Sequence, residues 1–464
     1  MTLNLSFLLA FFATLAGIFF LAWGGKVKAT SGIEFALSGR KASSLNVFGS
    51  ITGTLVGGAS TIGTAQLAFL YGLSAWWFTL GAGIACLFLG LFIAVPLRQS
   101  QAQTIPEFIA MYHGERVRTA ASLFTAIGMF IQIVAQLLAC GAVLAVLFNL
   151  SIAASATISM LLVVLFTLGG GMKSAGLTGM IKMALIYLTM AVAGVVALDL
   201  AGGWRGLTDG FAAWPWFSLF GYGVKEGISD LLSMLVGVIS TQTYLQAVFS
   251  AQSSAVARKG SLLSAALIPP LGLFAILVGL YMRQTMPEIE SALALPIFIM
   301  MNLPSGFAGI AFATLLIAAV GTASGLALGV ATTLKVDLLR HRLQQKATEL
   351  LVYRLITLAV LLAAFLLLLS NLGSAIMDWS FLSMGLRGAT LCFPLLFAVF
   401  LPQTNLRQAG FISIMLAPTS VVLLGFFPVI DVPPLFFGLG LSLLVFILTL
   451  LLSGKKGIKP DQQS

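Results

Sequence analysis

Three short stretches of this chain place oxygen-bearing side chains and glycines inside segments that are otherwise apolar. Residues 53 to 66 read Gly-Thr-Leu-Val-Gly-Gly-Ala-Ser-Thr-Ile-Gly-Thr-Ala-Gln, with four glycines and four hydroxyls in fourteen residues. Residues 240 to 246 read Ser-Thr-Gln-Thr-Tyr-Leu-Gln, and residues 321 to 325 read Gly-Thr-Ala-Ser-Gly. Hydroxyls and carbonyls released at a helix break suit a hard alkali cation, which takes oxygen ligands. Two plainer readings stand beside this one: close helix packing through the Gly53/Gly57 pair, and hydroxyls that bond back to their own helix. Two cations also fall within apolar runs, Lys182 and Arg387. A guanidinium at such a depth can clamp a carboxylate bidentately, or it can pair with Asp378, nine residues earlier, as an outer gate. Other chemistry is poorly supplied. Cys86, Cys140 and Cys392 lie in separate apolar runs, and the two histidines, His113 and His341, lie between runs. No disulfide framework, transition-metal site, organic cofactor or Ser/His/Asp set is therefore expected, and the chain does not read as an enzyme.

The elements that position these residues follow from composition. The chain has 464 residues, 59% of them hydrophobic and only 8% charged, a balance that fits a bilayer and not water. Apolar runs of about twenty residues, each long enough to cross the hydrocarbon, occur at 3 to 23, 46 to 72, 73 to 96, 119 to 149, 153 to 171, 177 to 199, 230 to 250, 260 to 282, 305 to 333, 350 to 371, 375 to 401, 408 to 428 and 432 to 453. They predict about thirteen transmembrane helices in one polytopic all-α domain over residues 1 to 464. If the first loop is cytoplasmic, nineteen Lys and Arg residues lie inside and three outside. The positive-inside rule then puts the N-terminus outside and the C-terminus in the cytoplasm. The net charge of +10 is thereby explained by topology, and no nucleic-acid partner is expected. The first run is longer than a signal-peptide core, lacks a cleavage site and is expected to be retained. Polar interruptions in spans two and seven are five spans apart, the offset of an inverted five-helix repeat. Pro269-Pro270 and Pro394 are expected to kink spans eight and eleven, and residues 202 to 229 to carry a short interfacial helix outside. Trp76, Trp77, Trp214, Trp216 and Trp379 read as interfacial anchors.

At four places the chain resembles the solute:sodium symporter family of bacterial proline, sialic-acid and galactose carriers. Phe35-Ala36-Leu37-Ser38-Gly39-Arg40 looks like that family's Phe-x-Leu-Gly-Gly-Arg, and Thr104-Ile105-Pro106-Glu107-Phe108 like its Thr-Leu/Ile-Pro-Glu/Asp-Phe/Tyr. Gln242-Thr243-Tyr244-Leu245-Gln246, with Arg258-Lys259 beyond it, is similar to the turn after span seven, although Ala247 stands where an arginine is common. Ile317-Ala318-Ala319-Val320-Gly321-Thr322 resembles its Ala-Ala-x-x-Ser-Thr/Ser. The resemblance implies an amino-acid/sodium symporter-like fold: a first inverted repeat at 45–199, a second at 230–401, two peripheral spans at 402–453 and a cytoplasmic tail at 454–464. It implies a sodium site between spans two and nine, with backbone carbonyls of Gly53, Val56 and Ala318 and side-chain ligands at positions Gly321 and Thr322. For the solute it points to spans two, three, four, seven and eleven, here Ser60, Thr61, Gln66, Gln136, Gln242 and Arg387, with Lys182, Tyr244 and Asp378 as coupling or gating residues.

The chain departs from the family where it matters for the ion. Gly321 has no hydroxyl, and Ser324 one turn on is the candidate replacement ligand, while the family's Trp-Thr-Asp-x-Ile-Gln reads Leu177-Thr178-Gly179-Met180-Ile181-Lys182. Two readings of Lys182 stay open. Its ammonium takes the place of the ion, giving a sodium-independent or proton-coupled carrier, or it snorkels to the cytoplasmic surface. The expected function is sodium-coupled symport, by alternating access, of a small polar organic solute, an organic anion or amino acid, in the plasma membrane (the bacterial inner membrane). Partners are then the solute, sodium and the bilayer. A solute-sensing receptor stands lower, because the tail carries no signalling domain, and a channel lower still, because the polar residues cluster at mid-depth instead of lining a path.

Overall fold

The computed structural model describes residues 4–24, 38–169, 175–335, 346–370, 374–402, 404, 406–427 and 432–453. Among these every regular element is helical, apart from a single parallel bridge between Ala42 and Ala251, which is the expected all-α class. Part of the 35 to 40 motif, and all of Lys173, His341 and the tail 454–464, lie outside the described residues.

Helix α1 is Leu5–Gly24. The second expected span is built from α2, Ser44–Leu55, a π turn at Ala59–Gly63 and α3, Thr64–Tyr71. Ser43 caps α2 by accepting from the Asn46 amide, and α2 stops where Val56 leaves helical geometry (φ −88, ψ 98). A helix that stops within the bilayer frees the carbonyls of its last turn from their usual amide partners, so the glycine-rich stretch does interrupt the span. Gly72 ends α3 with φ +64, a conformation only glycine adopts cheaply, and a Cβ there would sit 2.2 Å from the Trp216 carbonyl oxygen. The third span follows as α4, Trp77–Phe88, a π turn at Leu89–Ile93 and α5, Ala94–Gln99. A nine-residue helix, α6 at Ile105–His113, begins with Thr104 capping the Glu107 amide and Pro106 in the first turn.

The longest helix is α7, Glu115–Phe148, which ends at Asn149 in the left-handed region. Then come α8, Ile152–Gly169, and α9, Ala175–Leu200. In place of one short helix between residues 202 and 229 there are two, Gly203–Asp209 and Ala213–Trp216. Helices α10, Val224–Ile239, and α11, Gln242–Ser250, meet at a 41° bend across Ser240 and Thr241, the second expected break. The chain continues through α12 (Ser254–Thr285), α13 (Ala294–Asn302), α14 (Ser305–Thr333), α15 (Lys346–Leu369), α16 (Ile376–Phe400), α17 (Arg407–Phe426) and α18 (Pro434–Ser453). Helix assignment is continuous through Pro269, Pro270 and Pro394.

Among the described residues eight helical runs are long and apolar enough to cross a bilayer, and the bent α10–α11 pair makes a ninth. Shorter apolar helices at Leu5–Ile18, Ala153–Thr167 and Arg354–Leu369 occupy expected spans one, five and ten. Helix α7 is the hub, packed between α14 and α16, while α9 lies on α2 and α12, α10 lies on α16 and α4, and α17 and α18 pair at the side. The bundle interior is lined by small residues that let backbones approach, as expected where lipid offers no hydrophobic drive for association. Ala308, Ala311, Ala313, Ala318, Ala319, Ala323 and Ala327 of α14 are all buried, whereas Leu448, Leu451 and Leu452 of α18 face outward.

Candidate functional site

Helix α9 presses on the end of α2 through two glycines. A Cβ on Gly179 would stand 2.0 Å from the Gly49 carbonyl oxygen, and a Cβ on Gly53 would stand 2.6 Å from the Gly179 α-carbon. That approach leaves no room for the carboxylate the family resemblance leads one to expect at position 179, and it brings the next residue of the same face, Lys182, against the break. Lys182 is 5% exposed and does not snorkel. Its Nζ donates to the Gly53 carbonyl oxygen at 2.7 Å, to the Ala318 carbonyl oxygen at 3.0 Å and to Thr322 Oγ1 at 2.8 Å. Three acceptors match the three N–H groups of an ammonium, and the side chain ties α9 to both α2 and α14.

The surrounding residues complete this picture. Gln136 of α7 accepts from the Gly58 amide at 2.9 Å through Oε1, satisfying one donor exposed by the break. A Cβ on Gly57 would lie 2.6 Å from Thr322 Oγ1 and 2.7 Å from Gln136 Oε1, so these three residues converge on one point. Val56 is wholly buried at the break, and Ser324 is buried on α14, but neither touches the ammonium. Gly321 faces open space: a Cβ built there meets nothing within 4 Å.

The other proposed solute residues are engaged in holding helices together. The Ser60 hydroxyl donates to the Leu55 carbonyl at 3.0 Å, and that of Thr61 to the Gly57 carbonyl at 3.1 Å, both within the same span. Gln66 accepts from the Ile376 amide at 2.9 Å and so fixes the start of α16. Gln242 accepts from the Ile105 amide at 2.8 Å and donates to the Gln103 carbonyl at 3.3 Å, docking α11 on the entry to α6. Tyr244, buried, lies beside Arg387.

Arg387 is the second buried cation, fully enclosed in α16. Its Nη1 donates to Thr241 Oγ1 at 2.7 Å, inside the α10–α11 break, and its Nη2 to Ser383 Oγ at 2.8 Å, while Nε reaches the Ser383 carbonyl at 3.1 Å. Ser383 in turn donates to the Gly128 carbonyl of α7 at 2.6 Å. Arg387 does not pair with Asp378. That carboxylate belongs to a separate group with Glu226 and Asp230, where Tyr222 donates to Asp230 and is pushed to a raised pKa by burial and by Asp230. Among the described residues neither Lys182 nor Arg387 has a carboxylate at ion-pair distance.

Several buried polar atoms near the Arg387 elements have no hydrogen-bond partner: Thr125 Oγ1 and Gln132 Oε1 on α7, and Ser240 Oγ and Thr243 Oγ1 at the break. Thr125, Gly128 and Gln132 share one face of α7 by their i, i+3, i+7 spacing, and Gly128 is the residue that touches Arg387: a Cβ there would be 2.4 Å from its Cγ. Buried polar atoms are rarely left unmet, and the same condition holds for Ser122 of the same helix and for Ser155, Thr189 and Thr333 elsewhere in the bundle. Sequence reasoning singled out the stretch that holds Thr241 without giving that residue a role, and overlooked Ser383, Thr125 and Gln132. The i−4 placement of Ser383 from Arg387 was a legible sign of the first contact, whereas the α7 face is visible only once Gly128 is known to meet Arg387.

A model of the family described as the sodium:solute symporter family matches residues 35–416. The chain is 28% identical over 235 residues to the high affinity choline transporter 1 of Homo sapiens, a match covering 49% of this chain and 40% of that protein. It is 24% identical over 409 residues to the high-affinity choline transporter 1 of Drosophila melanogaster, covering 82% of this chain and 63% of the relative. The matches thus span less than two thirds of the length of either relative. A solved structure of a sodium-coupled sialic acid symporter, substrate-bound and outward-open, aligns with a TM-score of 0.77 at 17% identity over 100% of both chains. At that identity the likeness speaks for the fold.

Proposed function

Because this chain belongs to the sodium:solute symporter family, we propose that it is a membrane carrier that moves a small organic anion, an amino acid carboxylate included, by alternating access. The observation that carries the choice of an anion is Arg387, a fully buried guanidinium held only by neutral oxygens and a thioether at the break between α10 and α11. An unpaired buried charge costs several kcal/mol, and a carboxylate arriving among the unmet hydroxyls of α7 and the break offsets that cost. Lys182 adds a second positive charge to the same interior. Choline, the solute named for the aligned relatives, is a cation and would meet like charge with no carboxylate beside it. The solved sialic acid symporter carries an acid, which is consistent with the chemistry read from Arg387.

In this reading the helices of 45–199 and 230–401 form the two inverted repeats, the N-terminus is outside, and the two breaks lie at the repeat interface. Sodium coupling is what the family and the sialic acid symporter favour. The residues present fit an ion poorly, however, because the carbonyls of Gly53 and Ala318 and the Thr322 hydroxyl are taken by Lys182, and Gly321 supplies no hydroxyl.

Thermal unfolding of the purified protein against a panel of small carboxylates, amino acids and quaternary amines tests the solute class. At least one carboxylate should raise the midpoint of the wild type and leave Arg387→Gln unmoved. Stabilisation by choline or another cation, with carboxylates inert, would show the anion reading to be wrong.

A further inference from the structure

Resting on the reading of the chain as an alternating-access carrier, we propose that the Lys182 ammonium is the resident cation of the site between α2, α9 and α14, and that this site takes no sodium. Three observations converge on it. The three oxygens that meet Nζ are drawn from the set that the family resemblance implies for sodium, with two carbonyls and one hydroxyl at 2.7, 3.0 and 2.8 Å. Two unit charges do not share one small ligand set, since they repel and neither keeps its full shell.

The rest of the ion's shell has been dismantled in the same places. Position 321 is a glycine whose Cβ would meet nothing within 4 Å, so a hydroxyl there has space and is simply missing. Position 179 is a glycine packed against Gly49 and Gly53, where a carboxylate cannot be placed. The contact that excludes the acid is the contact that aims Lys182 at Gly53, so loss of the acid and gain of the lysine are one structural change.

The ammonium also does the mechanical work of an ion. It joins α2, from the first proposed repeat, to α14, from the second, through α9. A free ion leaves at each turn of the cycle, whereas a side chain stays, so no sodium gradient can be drawn on through this position. The carrier is then independent of sodium at this position.

The test needs no knowledge of the solute: binding of radioactive sodium to the full purified chain, with thermal unfolding in about 150 mM sodium chloride or N-methylglucamine chloride. The wild type should bind no more sodium than Thr322→Val and should unfold at the same temperature in both salts. Lys182→Ala/Gly321→Ser, which frees the three oxygens and restores the hydroxyl, should gain sodium binding and a sodium-dependent rise of about 2 °C. Sodium binding by the wild type that is lost in Thr322→Val overturns the proposal. So does a monodisperse Lys182→Ala/Gly321→Ser protein that gains nothing. If the double variant does not fold, the comparison of wild type with Thr322→Val still decides. A carboxylate panel without effect would instead strike the anion reading and leave this result intact.

Discussion

At position 179 the difference between a carboxylate and a hydrogen decides what the neighbouring helix can reach. With the Gly49 carbonyl oxygen 2.0 Å from where a Cβ would be, Gly179→Ala is expected to force α9 off α2 and to cost more than about 3 kcal/mol, seen as loss of monodisperse protein or a steep fall in the unfolding midpoint. Arg387 carries the second prediction at this scale. Arg387→Lys keeps the charge but loses the planar fork that spans Thr241 and Ser383, so carboxylate stabilisation should weaken at least tenfold in apparent affinity, with about tenfold more solute needed for the same rise in midpoint. The presence of Lys182 within an apolar run was plain from the sequence, but its direction was not. Five residues into a span, a four-carbon stem reaches the surface or the interior equally well. What aims it inward is a glycine contact contributed by a different helix.

Among the elements, the breaks were legible and their contents were not. Glycines at 53, 57 and 58 marked the end of α2, and the polar run at 240 to 246 marked the α10–α11 bend, because neither stretch offers the side chains that keep a buried helix regular. Yet the hydroxyls of Ser60 and Thr61 turn back on their own span, and Gln242 docks α11 on α6 instead of facing a cavity. Polar residues near a break serve the freed backbone first, since every exposed amide there must be met from within the protein. Gln136 does so for Gly58, and Gln136→Leu should destabilise by about 1–3 kcal/mol, the cost of leaving a buried amide unmet, measured by thermal unfolding. Helix α6 carries a pH-dependent contact of the same kind. His113 sits between the carbonyl oxygens of Leu406 (3.1 Å) and Pro394 (2.9 Å), and its neutral ring, with one N–H, donates to one of them and ties α6 to the α16–α17 region. Burial holds its pKa below the ordinary 6.5, outweighing the two carbonyls that pull it up. The unfolded chain therefore takes up the proton first. Stability from the neutral ring is present above about pH 6.5 and falls as pH drops below it. His113→Gln should flatten that decline between about pH 7 and pH 5.5.

For the molecule as a whole, composition and loop charge already required a polytopic bundle, and the order of motifs along the chain pointed to its family. What lay out of reach was the balance of charge in the interior, because that depends on which cations find carboxylates, and the three acids Glu226, Asp230 and Asp378 gather around Tyr222 instead of reaching Arg387. Two interior cations that meet no carboxylate among the described residues are the basis for an anionic solute and for independence from sodium. Uptake into proteoliposomes tests both at once: labelled small carboxylates, amino acids and choline are offered in sodium and in N-methylglucamine media, with proteoliposomes of Arg387→Gln as control. The account predicts that a carboxylate enters at the same rate in either medium and that Arg387→Gln abolishes its entry. Uptake of a cation, or carboxylate uptake that stops when sodium is replaced, would contradict it.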